Sequence, residues 1–129
     1  MVSAQRTGEP YAVEITDGRN ILRADTEKDG VGGHTGMRPH ELLESALAAC
    51  IRMTIDIAAQ RKGIAVPPCT VSVRLERLEQ ENRFHVAVSF EETPSEQCRD
   101  LVHRAVAGSP VSRTLAKPMR VLPAAIDPA

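Results

Sequence analysis

The chain has 129 residues and a formal net charge of −1, with 42% hydrophobic and 26% charged residues. A chain of this length and composition buries one hydrophobic core, so we expect a single domain over residues 1–129. Lys and Arg form no basic run and the only aromatic residues are Tyr11, Phe84 and Phe90, a pattern that argues against nucleic-acid binding. No apolar run approaches the roughly 20 residues of a membrane span, and residues 1–10 lack the apolar core of a signal peptide. We therefore expect a cytoplasmic protein that does not enter a membrane.

The cysteines and histidines show no spacing typical of a disulfide framework or a metal site. Cys50, Cys69 and Cys98 are odd in number, widely separated and without a Cys-x-x-Cys pair. His34 and His40 lie six residues apart, whereas a helical zinc site carries its two histidines at i and i+4. We expect no metal and no cofactor.

The N-terminal part of the chain predicts a hairpin followed by a loop. Two alternating runs within residues 11–25 flank the tetrapeptide Thr16-Asp17-Gly18-Arg19, and Asp-Gly between such runs is a strong turn signal. Residues 26–37 are rich in glycine and polar groups, which predicts a glycine-rich loop with room for a short strand around Val31.

A long helix over residues 39–62 is the strongest prediction. Pro39 suits the first position of a helix, and Gly63 follows Arg61 and Lys62 as a C-terminal stop. Apolar and small residues recur at three- and four-residue spacing and are predicted to form one wide face. They are Leu42, Leu43, Ala46, Leu47, Cys50, Met53, Thr54, Ile57 and Ala58.

The remaining residues predict two strands, two helices and one further strand. In chain order these are strands 71–78 and 83–90, helices 95–108 and 110–115, a candidate strand 119–122 and a tail over 123–129. The resulting order indicates an α+β fold with antiparallel sheets around one long central helix. The wide apolar face of that helix favours a partner subunit, because one chain of this size has little material to cover it.

Cys50 admits two interpretations. Its helical neighbours Ala46, Leu47, Met53 and Thr54 are mostly apolar, which favours an inert cysteine in the core. Alternatively the thiol is reactive, which requires a cation from another element because the start of its own helix is too far away to act on it. Spacing alone favours the core interpretation.

The segment GGHTGMRPHELLESALAACIRMTIDIAAQRKG resembles the signature of the OsmC/Ohr superfamily, in which a glycine-rich loop leads through proline into a helix of the form PxELLxxALAAC. The likeness extends over nearly the whole chain and includes the SPVSxTL segment that begins at Ser109. The resemblance implies a thiol-dependent peroxidase acting on small apolar organic hydroperoxides. It also implies an intertwined homodimer with the active site at the subunit interface.

The resemblance also assigns roles to individual residues. Cys50 matches the peroxidatic cysteine, and an arginine from the N-terminal strands holds the thiolate in such proteins. Arg19 is the best match for that arginine and Arg23 the second. Glu41 is the available acidic residue to orient it, since His40 occupies the position where many of the peroxidases carry glutamate.

One position departs from the pattern of the family peroxidases. They carry a resolving cysteine immediately before Pro-Val-Ser, where this chain has Ser109. Because a serine cannot condense with a sulfenic acid, turnover would require an external thiol reductant, or Cys69 or Cys98 as resolver. The alternative is a non-catalytic dimer of the same fold that binds a small apolar ligand.

Overall fold

The computed structural model describes residues 1–127 and has an α+β architecture with antiparallel sheets. In chain order the elements are β1 Ser3–Arg6, β2 Val13–Thr16, β3 Ile21–Ala24, β4 Glu27–Lys28, β5 Val31–Gly32, α1 Pro39–Lys62, β6 Cys69–Arg77, β7 Asn82–Phe90, α2 Glu96–Gly108 and α3 Pro110–Leu115.

The residues divide into two compact units. The first contains residues 1–46 and 73–85, and the second contains residues 47–72 and those from Val86 onward. Helix α1 and strands β6 and β7 each contribute to both units.

The N-terminal sheet of the first unit has the order β1-β2-β3, with both pairs antiparallel. The predicted hairpin is confirmed: Gly18 has a φ of 100°, and the Asp17 carboxylate accepts the backbone N–H groups of Arg19 and Asn20 at 2.8 and 2.7 Å. These hydrogen bonds, with the Asn20 backbone bond the largest, lower the pKa of Asp17 to about 2. Strand β1 was not predicted, because its four residues are all exposed and show no alternation of apolar and polar side chains.

The glycine-rich loop is organised by one buried carboxylate. Asp25 is only 3% exposed, and it accepts the Thr26 N–H at 2.8 Å, the Thr35 N–H at 3.0 Å and the Thr35 hydroxyl at 2.7 Å. These bonds, above all those from Thr35, lower the pKa of Asp25. Gly36 lies so close to the Arg23 carbonyl that a Cβ atom would collide with it, so only glycine fits there.

Helix α1 begins at Pro39 and ends before Gly63, as predicted. At the start, the Glu41 side chain accepts the backbone N–H of Arg38 at 2.9 Å, which satisfies a donor just before Pro39. At the end, Gly63 has a φ of 65°, and the Ile64 N–H bonds to the Ala59 carbonyl at 3.0 Å, which closes the last turn.

The buried side of α1 is not the predicted wide face. Leu47, Ile51 and Ile55, spaced four residues apart, are its buried residues. Met53 and Ile57, which were predicted to share the face of Leu47, are 62% and 49% exposed. Ile51 and Ile55 were not among the residues of the predicted face, because α1 is apolar around most of its circumference and periodicity cannot tell which arc its own chain covers.

Strands β6 and β7 form a two-stranded antiparallel sheet. Alternate side chains are half-buried and exposed along β6 from Cys69 to Leu75 and along β7 from Phe84 to Phe90, as their period-two pattern predicted. In the first unit, the Glu44 carboxylate of α1 accepts the backbone N–H of Leu75 at 2.7 Å. Within the described residues, β6 and β7 each have one edge that pairs with no other strand.

Helices α2 and α3 meet at Ser109 in the second unit. Ser95 caps the start of α2, and Cys98, Leu101, Val102 and Ala105 are its buried residues. The strand predicted over residues 119–122 is wrong: no strand forms there, and Val121 is fully exposed. A short segment of suitable composition does not form a strand unless another strand supplies hydrogen bonds. Of the predicted tail 123–129, the last two residues lie outside the described residues.

We predict that Asp25→Asn makes the free energy of unfolding less dependent on pH in the acid range. The pKa of Asp25 is lower in the folded state than its ordinary value of 3.8. The folded state therefore binds fewer protons, and the stabilisation is complete above that value and is lost as the pH falls through the folded pKa. Urea unfolding from about pH 7 to about pH 3 measures this slope.

Asp100→Asn, at an exposed position on α2, is the matched control for removing one carboxylate. We expect Asp25→Asn to be less stable than Asp100→Asn at pH 7 and to show the flatter acid-side slope. Equal slopes in the two variants would show that Asp25 does not contribute to the pH dependence.

Candidate functional site

Cys50 lies in the middle of α1 and is half-buried rather than sealed in the core. Its Sγ atom accepts a hydrogen bond from the backbone N–H of Val111 at 3.5 Å. Its carbonyl accepts the Thr54 hydroxyl at 2.7 Å, a bond within the same helix. The thiol therefore faces the start of α3, which belongs to the same compact unit.

At the start of α3, the other backbone N–H groups are either absent or already paired. The Val111 N–H is therefore the group that donates to the sulfur. Pro110 has no N–H, and the Ser109 hydroxyl accepts the N–H of Ser112 at 3.3 Å. This bond places a fixed backbone donor against the Cys50 sulfur. Sequence reasoning considered only the distant start of α1 as a helix end for this cysteine. The Ser-Pro-Val-Ser pattern was the signal that could have pointed to the start of α3.

Ser109 has a structural role in this arrangement. It is fully buried, at 0% exposure, and its hydroxyl lies 2.6 Å from the Ser112 hydroxyl. The Ser112 hydroxyl in turn donates to the Val106 carbonyl of α2 at 2.7 Å. Ser109, which the resemblance places at the position of a resolving cysteine, thus joins α2 to α3 through hydrogen bonds.

The predicted arginines lie on the N-terminal hairpin of the first unit. Arg19 belongs to the turn, where its backbone N–H donates to Asp17. Arg23 is paired across the strands with Glu14, with 3.9 Å between the guanidinium and the carboxylate, and both side chains are about half exposed. Since Cys50 belongs to the other unit, the pairing of either arginine with the thiol remains a prediction.

Glu41 is exposed, and its carboxylate already accepts one hydrogen bond, from the Arg38 backbone N–H. A carboxylate offers about four acceptor positions, so this bond leaves capacity for a guanidinium. Among the described residues no ion pair joins Glu41 to Arg19 or Arg23. The orienting role of Glu41 remains a prediction as well.

The other two cysteines differ from Cys50 in exposure. Cys98 is completely buried, and burial, together with the nearby Cys69, raises the pKa of its thiol. Cys69 is half-buried at the start of β6. Cys98 is therefore the least suited of the three to react as a thiolate.

The histidines give no sign of a metal centre. His34 lies 3.4 Å from Glu27 on the exposed loop, and within residues 1–127 no three potential metal-ligating side chains come together. Over the same residues, no helix is long and apolar enough to cross a membrane.

Comparison with solved structures identifies the fold. The chain is similar to a protein from Psychrobacter arcticus, with a TM-score of 0.71 at 19% identity over 88% of this chain and 85% of that one. It is also similar to an organic hydroperoxide resistance protein OsmC from Legionella pneumophila, with a TM-score of 0.63 at 21% identity over 90% and 88%. The organic hydroperoxide resistance protein OhrB of Bacillus subtilis gives a TM-score of 0.59 at 22% identity over 90% and 89%.

No curated protein matches the chain at a significant level. The family model described as OsmC-like protein matches residues 32–122, which include the second half of the glycine-rich loop, α1 and the Ser109 segment. That span covers well over half of the chain, and the solved structures share its fold. The chain belongs to the OsmC-like protein family.

Proposed function

We propose that this protein is a cytoplasmic thiol-dependent peroxidase that reduces organic hydroperoxides through Cys50. The observation that carries the proposal is the hydrogen bond from the Val111 N–H to the half-buried Cys50 Sγ, because it places a fixed backbone donor against the sulfur that must attack. Membership of the OsmC-like family supports it, as do relatives of the same fold that are organic hydroperoxide resistance proteins.

The reaction begins with attack of the Cys50 thiolate on the terminal oxygen of the hydroperoxide. The sulfur–oxygen bond forms as the oxygen–oxygen bond breaks, leaving a sulfenic acid on Cys50 and an alkoxide that takes up a proton to become an alcohol. Arg19, or else Arg23, would stabilise the charge that develops on the departing oxygen, with Glu41 orienting the guanidinium.

An external thiol reductant completes the cycle. Its sulfur displaces water from the Cys50 sulfenic acid and forms a mixed disulfide, and a second equivalent releases the Cys50 thiol together with the oxidised reductant. Residue 109 cannot take this part, because Ser109 has no sulfur to offer and its hydroxyl already bonds to Ser112. The alternative is Cys69 or Cys98 as resolver, and an external reductant predicts that Cys69→Ser retains activity.

A homodimer with the thiol at its interface is part of this proposal. Met53 and Ile57, at i+3 and i+7 from Cys50 on α1, are exposed apolar side chains. That spacing is typical of a helix seam covered by another helix. The two-stranded β6–β7 sheet, with one edge of each strand lacking a strand partner in the described residues, also favours assembly, since such a sheet is marginal alone.

An apolar substrate follows from the same surface. Met53 and Ile57 would contribute aliphatic and thioether surface beside the thiol, which favours alkyl hydroperoxides over hydrogen peroxide.

The second candidate function is a dimer of this fold that binds a small apolar ligand without turnover. The specific observation in its favour is Ser109, a fully buried serine at the position of the resolving cysteine. The two functions differ in one measurable property, which is whether Cys50 forms a sulfenic acid.

We predict that Cys50→Ser abolishes consumption of an alkyl hydroperoxide in the presence of a dithiol reductant. Without the thiolate no sulfur–oxygen bond can form, so the rate falls to that of the uncatalysed reaction. Peroxide loss followed over time, with trapping of the sulfenic acid and mass spectrometry of the protein, measures both turnover and the intermediate.

Cys69→Ser, which removes another half-buried cysteine, is the matched control and retains activity. If the wild-type protein consumes no organic hydroperoxide and yields no trapped sulfenic acid, the peroxidase proposal fails and the ligand-binding function stands.

We also predict that Ser109→Cys allows the oxidised protein to form an internal disulfide with Cys50. The introduced thiol would condense with the sulfenic acid and release water. Loss of the serine cap at the start of α3 lowers the stability by about 1 kcal/mol. Peptide mapping after one equivalent of hydroperoxide locates the disulfide, and urea unfolding measures the stability.

Ser112→Cys, one turn further along α3, is the control for a new thiol near this site. Trapping of an unresolved sulfenic acid in Ser109→Cys would show that position 109 cannot reach Cys50.

We predict that Met53→Glu combined with Ile57→Glu converts the dimer to monomers. Each unpaired carboxylate at a buried helix seam costs about 3 kcal/mol, which weakens the dimer by at least about a hundredfold. Sedimentation velocity across micromolar concentrations measures the change. Lys62→Glu, a change at an exposed position on the opposite side of the same helix, leaves the dimer intact, and a wild-type protein that sediments as a monomer would contradict the proposed assembly.

A further inference from the structure

A groove separate from Cys50 runs between β7 and α2 in the second unit. Its walls are apolar and consist of Val86, Val88 and Phe90 from β7 and of Val102 and Val106 from α2. Its volume is about 250 Å³, below the roughly 300–1,000 Å³ of sites that hold drug-sized molecules. The size and lining fit a short aliphatic chain.

Two basic side chains, Arg99 and His103, complete the lining of this groove. They lie at i and i+4 on α2, so they project from the same side of the helix. Neither forms an ion pair within residues 1–127, even though Glu96 and Asp100 are close to them in sequence. The groove therefore combines an apolar wall with basic groups that have no acidic partner in the described chain.

We propose that this groove binds a short-chain alkyl carboxylate, with the chain against the valines and the carboxylate on Arg99 and His103. The planar guanidinium of Arg99 matches a carboxylate through two parallel hydrogen bonds, and His103 offers a further donor. A neutral apolar molecule would fill the walls but leave the basic groups without a partner. A carboxylate without a tail would leave the walls exposed to water.

The groove is connected to the thiol through hydrogen bonds at the α2–α3 connection but does not include it. Val106 lines the groove, and its carbonyl accepts the Ser112 hydroxyl. Val111, the neighbour of Ser112 in sequence, donates its N–H to the Cys50 sulfur. Cys50 itself does not line the groove. A test with a ligand that is not a peroxide is therefore independent of the proposed peroxidase reaction.

The experiment is isothermal titration calorimetry of the full-length protein with octanoate at pH 7. Octanol, which lacks the carboxylate, and acetate, which lacks the long alkyl chain, are the control ligands. Octanoate is expected to bind with a Kd on the order of a millimolar or below, and far more tightly than either control. Along the series from butanoate to octanoate, each methylene tightens binding by up to about fourfold until the groove is full.

Two pairs of variants test the assignment of residues. Arg99→Gln weakens octanoate binding by roughly fivefold, whereas Arg104→Gln, on the same helix but outside the groove, leaves it unchanged. Val88→Thr also weakens binding, because it places a hydroxyl in the apolar wall. Val71→Thr, the same change on β6 outside the groove, does not. Thermal unfolding of each variant confirms that it is folded.

Four results would each overturn the proposal. The first is that octanoate releases no heat up to its solubility limit, and the second is that octanol binds as tightly as octanoate. Equal effects of Arg99→Gln and Arg104→Gln would place the anion elsewhere. Binding that is absent in the wild type and arises only when Met53→Glu and Ile57→Glu break a dimer would show that a second copy of the chain covers the groove.

Discussion

The distribution of apolar side chains around α1 is the constraint on which the rest of the structure depends. Leu47, Ile51 and Ile55 are buried within the chain, while Met53 and Ile57 stay exposed on another arc of the same helix. Burial of a large apolar side chain is worth about 1.5–3 kcal/mol, so the exposed arc holds stabilisation that the single chain does not use. Cys50 is half-buried, so its exposure lies between that of a core residue and that of a surface residue.

The second determinant of the site is the short connection between α2 and α3. Ser109 ends one helix and caps the next, Pro110 contributes no N–H, and Val111 is left with a donor that reaches the Cys50 sulfur. The same arrangement that places a backbone donor against the Cys50 sulfur also commits Ser109 to a buried structural role. In the proposed reaction, the environment of the thiol and the serine at the position of the internal resolver therefore belong to one helix connection.

Local rules were sufficient for most elements and failed where pairing or packing decided the result. The turn at Asp17-Gly18 and the stop at Gly63 were both predicted, because each acts through hydrogen bonds or φ values within a few residues. Residues 3–6 form a strand without any apolar alternation, whereas residues 119–122, which were predicted as a strand, form none. In both cases the deciding factor was whether a neighbouring strand supplied hydrogen bonds.

The order of residues placed Cys50 in the motif of the OsmC-like family and on a long helix, since a motif and a helical period are properties of contiguous sequence. It could not show what touches the sulfur, because the donor at Val111 is 61 residues away. Nor could it choose the buried arc of α1, since a helix that is apolar around most of its circumference presents several equivalent faces to a periodicity argument. Those two features came from tertiary packing, which brings distant backbone groups and side chains together and so set the environment of the thiol.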